Sequence, residues 1–397
     1  MNGTLTVAPP DRFMAGSAKA LAGLLFVSVL TVWIVDRWSV SLFEAGVFAL
    51  AGLWSVRMMI CPYAIRVSPA LVPLAGVLSI GLLQLLIGQT VSRWETWNAL
   101  LKWSVYGMAF CLGLQIGPSS AVRAPFRRAI FYFGFGLSVI SILQFFTSPG
   151  KIFWLFESGY HNDVLGPFVN HDHYAAFIEL LLPIALFEAL AEPRRTLLGA
   201  AAAASMLASV FAGASRAGSV LVIAETAAVL LLASRRGLPG ARKAFLSLVT
   251  FALLFTAIAG VTHLWQRFQE PDPYRERRGM LISAVAMTSA RPWTGFGLGN
   301  FENAYPGYAV FDSGALVDHA HNDWAEWAAE GGLPFVGCLL CIAACAVRPA
   351  VQSIWGVGVL SVFLHSCVDY PMQKPALALW AFVLLGVVMG RDGRHDG

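Results

Sequence analysis

Long apolar runs fill most of the chain, and short polar stretches carrying nearly all of its Lys and Arg break them up. None of the runs alternates polar and apolar positions with a period of two, which excludes an outer-membrane barrel. A helix crosses a hydrocarbon core about 30 Å thick with roughly 20 mostly apolar residues, and it satisfies its own backbone polar groups in lipid. The pattern predicts twelve spans, near residues 17–35, 41–59, 69–88, 96–116, 128–147, 173–191, 196–214, 217–233, 244–264, 326–347, 352–368 and 375–390. The expected fold class is all-α: a single polytopic membrane domain over 1–397 with about twelve transmembrane helices. Two connections are much longer than the rest, near 148–172 and 265–325. The second, between spans nine and ten, is expected to form a small lobe with one or two helices. Long loops that are not linkers tend to carry function.

Composition agrees with lipid as the solvent. The chain is 57% hydrophobic and only 13% charged, with a mean hydropathy of +0.66, against about 25% charge in an average soluble domain. The net charge of +4 is spread over short clusters between apolar runs, so no nucleic-acid partner is expected. With the N-terminus inside, the inner connections hold sixteen Lys and Arg; the short outer ones hold six, Arg37, Arg93, Lys102, Lys151, Arg216 and Lys374. That asymmetry is the positive-inside rule. It puts both termini in the cytoplasm and the long connections on the opposite side of the membrane. The first apolar run has no A-x-A-like exit, so no cleavable leader is expected. All six cysteines lie in or beside apolar segments and read as packing residues.

The candidate chemistry lies in the outer polar segments. Of eight histidines, His161, His171, His173, His263, His319, His321 and His365 fall away from the predicted inner face, and only His395 is in the cytoplasmic tail. In Asp318–Gly332, Asp323 is a plausible N-cap with Glu326 closing a capping box. His321 then precedes the helix start, and Glu330 lies two turns in, before a Gly331-Gly332-Leu333-Pro334 break. The turn Gly213-Ala214-Ser215-Arg216-Ala217-Gly218 holds a guanidinium near lipid with nothing acidic beside it, which suggests an anion partner. Arg275-Glu276-Arg277-Arg278 leads into an apolar-periodic stretch that ends in Pro292-Trp293-Thr294-Gly295-Phe296-Gly297. No buried strand precedes those glycines, so they are not a nucleotide fingerprint. Gly166–Ala176 is a polar turn entering span six, where Asn170 is either a cap or a sugar-binding group. His319 with His321, and His171 with His173, lack the i, i+4 spacing of a zinc helix, and no metal or cofactor is expected. The spans read as nearly free of charge, which disfavours a transporter or flippase with ionisable groups at mid-membrane.

In order and in position, these segments resemble the bacterial O-antigen ligase and O-antigen polymerase superfamily. The resemblance rests on His321-Asn322 followed by Glu330-Gly331-Gly332, on the Ser215-Arg216 turn, on Arg277 or Arg278 ahead of Pro292 and Gly295-Phe296-Gly297, and on the Gly166–His173 turn, where Asp172 replaces a common asparagine. It covers roughly residues 90–390. It implies a metal-independent membrane glycosyltransferase that uses an undecaprenyl-diphosphate-linked glycan donor. The acceptor would be a lipid A-core for a ligase, or another lipid-linked glycan for an O-antigen or exopolysaccharide polymerase. On that reading Arg216 and Arg277 hold the diphosphate, with Arg278 competing for the role. His321 is the base for the acceptor hydroxyl, and Asn170, His173, Asn322 and Glu330 line the substrate.

Overall fold

The computed structural model describes residues 12–391 apart from 62–63, 160–163, 239–240, 260–261, 273, 312–313 and 315. His161, Arg394 and His395 lie outside the described residues. In chain order the helices are α1 (Arg12–Leu30), α2 (Arg37–Ile60), α3 (Leu71–Leu86), α4 (Arg93–Ile116), α5 (Ser120–Thr147), α6 (His171–Ala191), α7 (Thr196–Ala212), α8 (Arg216–Arg235), α9 (Ala241–Ala259), α10 (Thr262–Gln269), α11 (Arg275–Ala290), α12 (Phe301–Ala304), α13 (Asp323–Ser353), α14 (Val357–His365) and α15 (Pro375–Met389). A two-residue hairpin, Lys151–Ile152 against Phe156–Glu157, follows α5. The chain is thus an all-α polytopic membrane protein. Among the described residues seven helices are long and apolar enough to cross a bilayer, and α3, α7 and α15 are shorter apolar helices.

Each of the twelve apolar stretches contains a helix, but the eleventh departs from expectation. Residues 352–368 form only the nine-residue α14, about 14 Å long at 1.5 Å per residue and too short to span. The apolar run is unwound at both ends. Ile354 takes φ 61° at the entry, and the chain leaves helical geometry after Ser366 to turn into a polar cluster. Lys102 is also not a loop residue: it lies inside α4, where burial lowers its exposure to water.

The bundle is built around α6, whose residues from His171 to Leu190 are all buried. It packs on α7, α8 and α14, so its N-terminus opens at the centre of one end of the bundle. Helices α4 and α15 meet through small residues. A side chain on Gly113 would come within 3.1 Å of the Gly386 Cα, and one on Gly117 within 2.7 Å of the Gly390 Cα. Both helices carry this Gly-x-x-x-Gly spacing, which lets backbones touch where lipid offers no hydrophobic drive for association.

The long connection after α9 folds as α10, α11 and α12. It carries a second apolar cluster of Met280, Ala284, Met287, Phe296, Phe301 and Tyr305. Its glycine-rich turn is bolted to the bundle. Gln84 of α3 donates to the carbonyls of Thr294 (2.6 Å) and Glu330 (2.8 Å), and Leu298 N donates back to Gln84 Oε1 (3.1 Å). Phe296 N and Gly297 N donate to the carbonyls of Ala329 and Glu330. Helix α13 breaks at Gly332 (φ 72°, ψ −178°), as its Gly-Gly-Leu-Pro sequence suggests. A Cβ at Gly332 would lie 2.8 Å from the Pro292 carbonyl. Gly332→Ala is therefore expected to destabilise the protein by about 1–3 kcal/mol through overpacking alone. A melting curve of the detergent-solubilised full chain, lower by several degrees than wild type, checks this.

Candidate functional site

The site forms where five segments meet: the N-terminus of α6, the N-terminus of α8, the start of α11, the 319–323 turn, and the 366–374 segment that faces it. At α6, Asn170 is the N-cap, accepting from Asp172 N at 2.7 Å. That cap fixes Asp172, buried at 5% exposure. Its Oδ1 accepts from the Ser215 hydroxyl (2.6 Å) and its Oδ2 from Arg277 (2.8 Å). Ser215 is the N-cap of α8, and the next residue, Arg216, starts that helix. The Arg216 guanidinium donates to Glu270 (3.1 Å) and to the Arg267 carbonyl (2.9 Å), and lies 4.9 Å from the Tyr274 ring centre. Arg277 also donates to the Val368 carbonyl (3.0 Å) and comes within 3.9 Å of Asp369.

Asp369 is fully buried and joins the two halves of the site. His321 Nδ1 bonds to its Oδ1 at 3.0 Å, and His173 Nε2 lies 3.6 Å from its Oδ2. Burial by itself would push the Asp369 carboxyl up. The hydrogen bond from His321 and the nearby charges of His173 and Arg277 outweigh burial and the repulsion of Asp172, and hold it below the usual carboxylate range. An ionised Asp369 fixes the His321 tautomer: Nδ1 carries the proton, and Nε2 keeps its lone pair. His321 is 24% exposed and sits at φ 50°, in the left-handed region that few residues other than glycine occupy.

Tyr370 is the wall of the cluster. His321 and His173 meet its ring edge-on, each at 4.7 Å, His319 stacks on it at 4.4 Å, and the Lys374 ammonium lies 5.0 Å from its centre. Burial pushes the Tyr370 phenol up and the Lys374 ammonium down, the latter against the opposing charges of Asp318 and Asp369. His319 pairs with Glu326 (2.8 Å), whose other oxygen accepts from Ala320 N. His319 and His321 thus turn to different carboxylates. Among the described residues no group of three or more His, Cys, Asp or Glu converges as a metal site.

Arg277, His321 and His173 are thus linked through Asp172 and Asp369, Arg216 follows the Ser215 that bonds Asp172 but turns its own guanidinium to Glu270, and the other expected site residues fall elsewhere. Arg278 pairs with Asp272 at 2.7 Å, with its side chain 61% exposed. Consecutive helical residues point about 100° apart, and Arg277 is the one that faces the carboxylates. Asn322, not Asp323, caps α13: its Oδ1 accepts from Ala325 N, and its Nδ2 donates to the Cys367 carbonyl. Asp323 instead accepts from Met372 N at 3.0 Å, tying the 366–374 segment to α13. Glu330 turns away, accepting from Phe301 N and so holding α12. Asn170, Asn322 and Glu330 shape the site from behind. The spans are also less free of charge than their composition suggests: Glu179, Glu225 and His365 are all buried inside the bundle.

Asp369 had no clear signal in the sequence. It follows an apolar run and precedes Tyr370-Pro371, with no spacing that ties it to His321, 48 residues earlier. The cluster of basic and acidic groups offers guanidinium groups to an anion and an imidazole to a proton. No curated protein matches the chain. Residues 201–342, which include Arg216, Arg277, His321 and Glu330 and end before Asp369, match the family model described as O-antigen ligase.

Proposed function

We propose that the protein transfers a glycan from an undecaprenyl-diphosphate carrier to an acceptor hydroxyl, at the periplasmic face of a bacterial inner membrane with both termini in the cytoplasm. The observation that carries this reading is the linkage of the Arg277 guanidinium and the His321 imidazole through Asp369, with Arg277 also held by Asp172. The leaving group is a diphosphate whose charge grows as the glycosidic bond breaks, and fixed guanidinium groups stabilise such charge through paired hydrogen bonds. Arg277 is held by buried carboxylates, whereas the Glu270 partner of Arg216 is 47% exposed and easily displaced. A hydroxyl acceptor is a weak nucleophile, and a neutral imidazole is a suited base near pH 7.

In the proposed step the acceptor oxygen attacks the anomeric carbon, and its proton passes to His321 Nε2. The bond from that carbon to the phosphate oxygen breaks, and its electron pair stays on the undecaprenyl diphosphate. Asp369 stabilises the imidazolium that forms. One displacement inverts the anomeric centre. The guanidinium groups take the role that a divalent metal would otherwise fill, and apolar grooves between helices hold the prenyl chain. Asn170, Asn322 and Glu330 support the pocket, and His173 acts on Asp369 from its other oxygen.

A deletion strain tests the proposal through its surface polysaccharide. Loss of all glycan from lipid A-core assigns a ligase. Survival of one repeat unit there assigns an O-antigen polymerase, and loss of a secreted polysaccharide alone assigns an exopolysaccharide polymerase. A surface polysaccharide unchanged in every respect would overturn the transferase reading.

A further inference from the structure

Two helical turns below the site lies a polar contact that the transfer step does not use. Glu179 on α6 and His365 at the end of α14 are both at 0% exposure, and His365 Nδ1 meets Glu179 Oε1 at 2.7 Å. Glu225 of α8 is buried with them, and both its oxygens lack a hydrogen-bond partner, as do Glu179 Oε2 and His365 Nε2. Burying such groups among apolar helices is expensive, and apolar residues of similar volume would hold two helices together at least as well. What an ion pair adds is direction and register.

That register bears on the site above. Asp172 and Glu179 are seven residues apart on α6, hence on one face and about 10 Å apart along the axis. His365 stands four residues before Asp369, and the Asp369 amide donates to the His365 carbonyl at 3.1 Å. Helices α6 and α14 are in backbone contact here, since a side chain on Gly358 would run into the Glu179 carbonyl. The two helices therefore share a lower rung, Glu179–His365, and an upper rung in which Arg277 spans Asp172 and Asp369. Sliding or turning α14 by one residue would swing Asp369 away from His321, His173 and Arg277 together.

We infer that Glu179 and His365 are positioning residues: their buried pair sets the register of α14 on α6 and so holds Asp369 against His321. This rests on the transferase reading. The test uses purified full-length protein with the lipid-linked glycan that a deletion strain accumulates, followed as kcat, KM and a pH profile. Glu179→Asp keeps the charge and draws the carboxylate back by about 1.5 Å, one carbon–carbon bond. Misplacement on that scale is expected to lower kcat roughly ten- to a hundredfold, with the donor KM within threefold, because His321 has Asp369 as its carboxylate partner whereas Arg277 keeps its shorter contact with Asp172. The pH profile should differ from that of wild type, since Asp369 no longer fixes the His321 tautomer. Glu179→Gln, which keeps side-chain length and a hydrogen-bond acceptor, should recover most of the rate. If Glu179→Asp does not fold, His365→Gln is read by the same criteria. Wild-type kcat and profile in the folded Asp variant, or a Gln variant as impaired as the Asp one, overturns the inference. The references are separate from the positioning role: no transfer by the wild-type protein sinks the transferase reading itself, and a wild-type rate in His321→Asn removes His321 from the chemistry.

Discussion

His321→Asn is expected to lower transfer by about 10²–10⁴-fold, the usual contribution of a positioned general base, while the protein still accumulates in the membrane. Asparagine is the informative substitution because His321 sits at φ 50°. Asn tolerates the left-handed region far better than most side chains, so backbone strain is not confused with loss of the base. The same protein should still bind the lipid-linked donor, because Arg277 and Arg216 remain. Donor would be retained on the purified variant and turned over slowly, and the acceptor hydroxyl would lack its proton acceptor. Asp369→Asn should give a smaller loss. His321 keeps its lone pair there but loses the anion that fixes its tautomer and stabilises the imidazolium. Normal surface glycan in a strain carrying only His321→Asn would remove His321 from the chemistry.

The membrane fold was legible in the sequence because apolar runs of span length have few other solutions in a chain this poor in charge. The eleventh run was not, because its ends are unwound by a positive-φ Ile354 and by the turn into Asp369, neither of which leaves a mark in hydropathy. Arg216, Arg277 and His321 stood out as charged or titratable groups in short polar turns. Asp369 did not, since its meaning lies in partners from three other segments. Asp172 read as a departure from a familiar pattern, yet it receives the hydrogen bonds of both Ser215 and Arg277. Arg277 and Arg278 could not be told apart by composition, and the direction of one helix face separates them. Glu179, Glu225 and His365 are single residues in apolar runs, and only the packing of α6, α8 and α14 shows that they share one interior.

Arg277→Lys is expected to lower kcat by about 10²–10³-fold, the scale seen when one fixed donor to a developing oxyanion is removed. The positive charge survives, so a role in bulk electrostatics alone predicts little change. What is lost is the planar fork, which lets one guanidinium hold Asp172 and the Val368 carbonyl and still present N–H groups to a diphosphate. Arg277→Ala is less informative by itself, because it leaves two buried carboxylates without their shared cation. Pairing it with Asp172→Asn removes one of those charges and separates folding from chemistry. Arg216→Ala should act differently. Its Glu270 partner is half exposed, and its removal uncovers no buried charge, so the loss should fall more on donor KM than on folding. With both arginines replaced, the losses should be less than multiplicative, because two groups that grip one diphosphate are coupled. Arg277→Lys within threefold of wild type would mean that its carboxylate contacts serve only to hold α11 in place. The developing charge would then have to be met by Arg216 and Arg267.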